Sequence, residues 1–372
     1  MSSRLRFIDK NNSAFFATVR QRVDDYFQEN HLSKHANFAM WLKIAFFLGG
    51  LIFFYCLILF GNFTPWQMLG LSVLLGMFAA FNGFNVCHDA IHGSLSKNQT
   101  VNKIFSLVFN IIGANAYVWS ITHNVVHHTY TNIPGHDEDI EVAPGLIRLS
   151  PAEPVKSVFR FQHLYAFLLY GLASLSWVFR KDYKKFFQNS IGSYDNSQRP
   201  AGELFNLFFF KALYYILFIV LPLVMLDITW WQFLIGFVVM HISEGFVLGL
   251  VFQLAHVVEG TEFPEANEDG NIEEAWAAHQ MRTTANFAID NPLVNFFCGG
   301  LNMQIEHHLF AKICHIHYPK LAPIVRQTAL EFGLPYIENK TFGSALLSHY
   351  KMLKKFGKED YENSLVTQPQ LS

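Results

Sequence analysis

Charge is what this chain has least of. Only 15% of its 372 residues are Asp, Glu, Lys or Arg, against about a quarter in soluble domains. A wholly water-facing fold is therefore excluded. The formal net charge is -2 and the pI is near 6.8, so no basic field is available for nucleic acid. Cysteine is scarce too. Cys56, Cys87, Cys298 and Cys314 are scattered without any Cys-x-x-Cys pair, which excludes a disulfide framework and a Cys-bound iron–sulfur or zinc site. They read as small apolar residues. Residues 1–36 lack the apolar run and small-residue cleavage site of a signal peptide. They carry Arg4, Arg6, Lys10, Arg20, Arg22 and Lys34 instead, and are expected to stay in the cytosol as an amphipathic segment. There is no internal repeat, low-complexity tract or obvious second domain.

Apolar residues fill the space that charge leaves. Hydrophobic residues reach 51%, with 39 Phe, and the mean hydropathy is +0.21. Four runs, near 41–60, 66–86, 204–226 and 230–251, meet the length of about 20 residues that a bilayer crossing needs. The stretch 13–30 has Phe16, Val19, Val23 and Phe27 at helical spacing. It reads as an amphipathic helix on the membrane surface or under the catalytic part. Run 101–120 lies between two histidine clusters that should share a site, and a full crossing would separate them. It is expected to be re-entrant or interfacial. Run 159–179 is basic at both ends and is expected in the interface. The stretch 183–199 reads as polar and looped. The two tight loops between spans hold no Lys or Arg, so both termini and the polar segments are expected on the cytosolic side. The expected fold is an all-α integral membrane protein of about four transmembrane helices. Residues 37–372 form one membrane domain, whose cytosolic helical cap, 87–203 and 252–372, carries a histidine-rich dimetal site.

The 17 histidines are the anomalous count. His88 and His92, like His123 and His127, stand four residues apart and share a helix face. His128 is rotated about 100° from His127, so an adjacent pair can serve two ions. His307 and His308 repeat the device, and His256 ends the fourth span at the same depth. Eight histidines are too many for one ion and about right for two. Imidazole suits iron, copper, zinc and nickel, so these residues alone do not name the metal. Asp89, Asp137, Glu138, Asp139 and Glu306 lie beside the clusters and are expected to orient imidazole N–H groups.

The pattern His88-x3-His92, His123-x3-His127-His128 and Gln304-x2-His307-His308 resembles the three histidine boxes of membrane fatty acid desaturases. Gln304 at the head of the third box is typical of the front-end group, which inserts a double bond between an existing one and the carboxyl end. The resemblance spans about 82–336. It takes in Thr131 and Asn132, Ala255 to Val257, Arg282 to Phe287, Gly299 to Asn302, and His315 to Pro319.

It implies a centre of two non-haem irons that uses O2 and two electrons to remove two hydrogens from an acyl chain. His88, His92, His123, His127, His128, His256, His307 and His308 would be ligands. Gln304 would either join them or hydrogen-bond a bound water. Asn132 would help orient the set, with Asp89, Asp137, Asp139 and Glu306. Tyr117, Trp119, Phe252 and Phe297 are expected to line an apolar substrate tunnel beside the boxes. No His-Pro-Gly-Gly haem motif of a fused cytochrome b5 domain is present, so a separate ferredoxin or cytochrome b5 type donor is expected. The substrate would be a fatty acyl lipid or thioester, and the setting a bacterial cytoplasmic membrane. Ala311 replaces a Pro common after the third box. His279, His315 and His317 read as supporting residues, the last two with a secondary option of binding a lipid head group.

The nearest alternatives are a lipid hydroxylase or sphingoid-base desaturase on the same scaffold. A haem protein would place its histidines mid-span, and a transporter would place polar residues at the midplane. Here the clusters lie at span ends, and only Lys211, His241, Ser243 and Glu244 are candidates for polar residues at the midplane.

Overall fold

The computed structural model describes residues 5–9, 14–139, 143 and 145–358. The extreme N-terminal residues 1–4, the stretch 10–13 and the C-terminal 359–372 belong to the cytosolic segments expected above and lie outside the described residues. Among the described residues the protein is mostly helical, with three short two-stranded pairings.

Four helices are long and apolar enough to cross a bilayer: Phe38–Phe60, Pro65–His92, Ala201–Met225 and Trp230–His256. The second and fourth start from short loops, each closed by a capping box on Thr64 or Thr229. At 1.5 Å per residue they are about 40 Å long, while the hydrocarbon core is about 30 Å thick. Both therefore emerge on the far side, and they end there in His92 and His256. The sequence reading stopped these helices at 86 and 251 because apolarity fades there. Backbone hydrogen bonding does not fade, and the helices run on. The second does so through a wide turn at Gly83–Cys87, a form of helix often found at functional sites. The two helices touch closely: a Cβ at Gly76 would lie 2.1 Å from the Met240 carbonyl oxygen.

Between the first two histidine clusters, Gln99–Ile111 and Ala116–Tyr130 meet at 109°. The bend has a local cause. The side chain of Asn110 accepts from the Ala116 N–H at 2.7 Å, and Asn115 caps Val118 N–H at 2.9 Å. These side chains replace the helical bonds that the turn breaks. The region expected at the interface is a chain of short helices from Ser157 to Phe187, with Phe161, Leu164, Leu168 and Phe179 exposed. The expectation that 183–199 is looped needs correction. Asp182–Phe187 is helical, and Ser190–Ile191 pairs with Tyr194–Asp195 in a hairpin. The Asn196 amide, bonded to the carbonyls of Phe186 and Gln188, fastens the two together.

The N-terminal helix Phe15–Glu29 buries Phe15, Val19, Val23 and Phe27, so Phe15 takes the inward place assigned above to Phe16. It packs under the cap rather than standing free. Arg22 donates to Thr328 at 2.9 Å and to Glu331 at 2.6 Å on Tyr318–Glu331. The third histidine cluster rides on Gln304–Leu309, reached through Gly299. Gly299 has φ +61°, and a Cβ there would meet the Phe84 carbonyl at 2.6 Å, so only glycine fits. Asn286–Phe287 pairs in parallel with Glu338–Asn339 and ties this region to the last helix, Phe342–Phe356.

Candidate metal centre

The three clusters and His256 converge. Nitrogens of His88, His92, His123 and His307 lie within 4.8 Å of one another, as do those of His127, His256 and His308. His128 stands between the groups. Its Nε2 is 3.3 Å from His123 Nε2, and its ring stacks on His308 at 4.4 Å. Neighbouring residues thus separate between the two groups, His307 from His308, as the helical rotation requires.

Six of these rings, those of His88, His92, His127, His256, His307 and His308, have an Nε2 that is buried and has no partner among the described residues. Each such orphan costs about 1–3 kcal/mol, and six converging on two points call for a bound cation. The outer nitrogens fix the tautomers. His127 Nδ1 donates to Asp137 Oδ2 at 2.9 Å, His123 Nδ1 to Asp139 at 3.3 Å, and His308 Nδ1 to Gln280 Oε1 at 2.7 Å. His307 Nδ1 reaches the Tyr318 hydroxyl at 3.3 Å and His256 Nδ1 the Thr283 carbonyl at 3.4 Å. With the proton held at Nδ1, the Nε2 lone pair faces inward, which is how a metal-binding imidazole is presented. Burial, then the neighbouring histidines, push His307 and His308 well below the usual imidazole range, so both are neutral at pH 7. Neutral imidazole is the form that binds metal. The residues present fit a dimetal centre.

The carboxylates divide by role. Asp137 and Asp139 touch box histidines. Asn132 works through the backbone: at φ 57° its amide binds the carbonyls of His256 and Thr283, at 2.9 and 3.2 Å. Asp89 and Glu306 differ from expectation. The helix turns Asp89 away from the metal groups, and it accepts from Cys314 Sγ and His315 Nδ1, both at 2.9 Å; His88 Nδ1 is 3.9 Å away. His315 Nε2 in turn accepts from Lys43 at 2.9 Å, so an ammonium already supplies the cation beside the Asp89, Cys314 and His315 trio. Glu306 points outward to Asn286 and Tyr336, at 2.7 and 2.8 Å, and burial pushes it up to about 7 against those two hydrogen bonds. Glu138 pairs with Lys185 instead of a histidine. Gln304 is fully buried one turn before His307 and His308, and neither of its polar atoms has a partner among the described residues. His279 does not join the set; it is buried against Phe7, and burial lowers it to about 4.

Sequence reasoning missed Gln280, Tyr318 and Thr283. Gln280 directly follows His279, but only the fold brings it to His308.

An apolar cavity reaches His88. Phe84, Phe109, Trp119, Trp177, Phe252 and Leu301 are among its walls. Trp119 and Phe252 were expected there. Tyr117 and Phe297 are not in it: Tyr117 bonds Asn196 at 2.9 Å, and Phe297 packs edge-on or tilted in a cluster with Phe47, Phe81 and Phe296. A second opening, with Arg20, Asp24, Lys34 and Lys312 among its walls, reaches His92, His128 and His308.

Residues 64–340 match the family model for fatty acid desaturases. The chain is 39% identical over 363 residues to an sn-1 linoleoyl-lipid 6-desaturase of Synechocystis sp., covering 96% of this chain and 99% of that one. It is 35% identical to a protein of the same name from Arthrospira platensis, over 92% of each. It is 36% identical to an acyl-lipid (8-3)-desaturase of Physcomitrium patens, over 96% of this chain and 74% of that one. A buried histidine centre at the end of four membrane helices, with an apolar cavity against it, is the setting in which an acyl chain is oxidised. The chain is an integral membrane oxidoreductase and belongs to the fatty acid desaturase family.

Proposed function

We propose that the protein is a front-end acyl-lipid desaturase. It inserts a cis double bond between an existing one and the carboxyl end, and it uses two non-haem irons held by the eight histidines. The balance is –CH2–CH2– + O2 + 2 e⁻ + 2 H⁺ → –CH=CH– + 2 H2O. The observation that carries the reading is the set of six partnerless Nε2 atoms converging on two points. The relatives' names support a lipid-bound acyl substrate.

The irons, when bound, would supply the O2 chemistry that an unactivated methylene requires. The protein does the rest. Asp137, Asp139, Gln280, Tyr318 and Thr283 hold the imidazoles in one tautomer. Trp119 stacks on His123 at 4.2 Å and Phe252 packs tilted against it at 5.7 Å, and together they present an apolar wall that excludes water. Each methylene moved into such a cavity gains about 0.8 kcal/mol. Electrons come from a separate donor of ferredoxin or cytochrome b5 type; the opening beside Lys312 reaches His92, His128 and His308. The single membrane domain 37–372, with its N-terminal segment packed beneath it, sits in a bacterial cytoplasmic membrane with the cap in the cytosol.

Two measurements test this. Purified protein should hold two irons per chain without a haem spectrum. Membranes expressing it with linoleate supplied should gain a fatty acid with a new double bond on the carboxyl side of the existing pair. A haem spectrum, or an unchanged fatty-acid profile with iron fully loaded, would overturn the reading.

A further inference from the structure

The apolar cavity contains a polar side chain that the metal centre does not use. Gln253 lies in the last turn of Trp230–His256, is fully buried and lines the cavity. Neither its Oε1 nor its Nε2 has a partner among the described residues. Its neighbour Phe252 packs on His123 and His127, at 5.7 and 5.2 Å, so the carboxamide sits close to the histidines.

Lys181 lines the same cavity. Asp139 lines it as well, its Oδ2 3.3 Å from His123 Nδ1; Asp182 pairs with Lys211 and Glu138 with Lys185. An unpartnered buried amide thus faces a cavity that is mostly apolar, with Asp139, Ser176 and the half-buried Lys181 among its other walls. A hydrocarbon chain offers the amide nothing, and burying it without a partner is costly.

We infer that Gln253, assisted by Lys181, binds the ester end of the acyl lipid, with the Gln253 amide donating to the acyl carbonyl oxygen. The inference rests on the front-end reading. If the oxidised carbons lie few bonds from the carboxyl end, the ester carbonyl must enter the cavity together with them. It is the polar atom that a substrate necessarily brings there. Fixing that oxygen would set the distance from carbonyl to reacting carbon, and so make Gln253 a specificity-determining residue for double-bond position. The amide's other possible partner is a water on the metal, which would make it part of the centre instead.

An ether-linked lipid lacks the carbonyl and separates the two. Binding of a linoleoyl diacyl glycerolipid and of its dialkyl ether counterpart would be measured on metal-free protein in detergent, for the wild type, Gln253→Met and Gln253→Asn. The wild type should prefer the ester by about three- to tenfold, the range of one neutral hydrogen bond. Gln253→Met should lose that preference while retaining wild-type iron content on loading. Gln253→Asn, one methylene shorter, should move part of the product double bond, read by mass spectrometry of derivatised products. An unchanged ester preference in Gln253→Met, or iron lost with product position unaltered, would overturn the inference. A wild type that makes no carboxyl-side double bond would instead overturn the front-end reading, whatever Gln253 does to binding.

Discussion

At the scale of single residues, helical spacing within each cluster and the resemblance to the three histidine boxes marked the eight histidines as candidates, and the fold brings them together. Their partners were legible only where they lie nearby in sequence. Asp137 and Asp139 follow the second box by a few residues. Gln280 and Tyr318 come from other elements and could not be paired in advance, while proximity misled for Asp89 and Glu306. This difference gives a prediction. Asp137→Asn should weaken iron binding by about 10- to 100-fold, the usual cost of losing the group that orients a metal-bound imidazole. Glu306→Gln, a near-isostere whose contacts are Asn286 and Tyr336, should leave iron content unchanged. Metal titration of the two variants checks both. His349 allows a test by pH. Its Nδ1 donates to the Val257 carbonyl at 2.7 Å and its Nε2 accepts from Tyr170 at 2.8 Å, so the neutral ring is fully satisfied. Burial lowers it to about 4, below the ordinary value of about 6.5 for the unfolded chain. The unfolded state therefore binds the proton first. The stabilisation is complete above about 6.5 and is lost as pH falls towards 4. Thermal unfolding of the metal-free protein across that window should show a steeper fall for the wild type than for His349→Gln. Parallel curves would count against His349 as a contributor.

At the scale of elements, apolar length located the spans, but hydrogen bonding set where they end. The wide turn at Gly83–Cys87 and the bend between Ile111 and Ala116 leave no hydropathy signal, because they are made by backbone register and by Asn side chains. Another tie between elements was equally hidden. Lys43 on the first span, His315 after the third box and Asp89 beside His88 form one buried chain of hydrogen bonds. Along the sequence Lys43 is an isolated charge near the start of its span. The chain fastens the first span to the first histidine cluster, so its members should be coupled. Breaking a buried charged pair from one side costs about 3–5 kcal/mol. Lys43→Met and Asp89→Asn should each lower thermal stability markedly, and the double variant should cost clearly less than their sum. Additive losses in a double-mutant cycle, as for distant independent sites, would show that the tie does not act as a unit.

At the scale of the whole molecule, one asymmetry organises the rest. The short loops that open the second and fourth spans lie at one end of the bundle, and the histidines, the N-terminal helix and the cap at the other. This follows from helix length: two helices of about 40 Å that start near one face of a 30 Å core must end beyond the other. The distribution of Lys and Arg then orients the molecule, because residues 61–64 and 226–229 contain none and the cap side holds nearly all. Basic residues stay on the cytosolic side, so the cap should face the cytosol, where soluble electron donors are found. Single cysteines at Asn62, Asp227 and Lys340, in a background with Cys56 replaced by Ser, test the orientation with a membrane-impermeant thiol reagent on intact cells. The other native cysteines are buried and should stay silent. Cysteines at Asn62 and Asp227 should label, and one at Lys340 should label only after lysis. If the Lys340 position labels in intact cells, the cap faces outward. The metal centre would then be cut off from any cytosolic reductant, and the electron supply proposed above would have to be abandoned along with the topology.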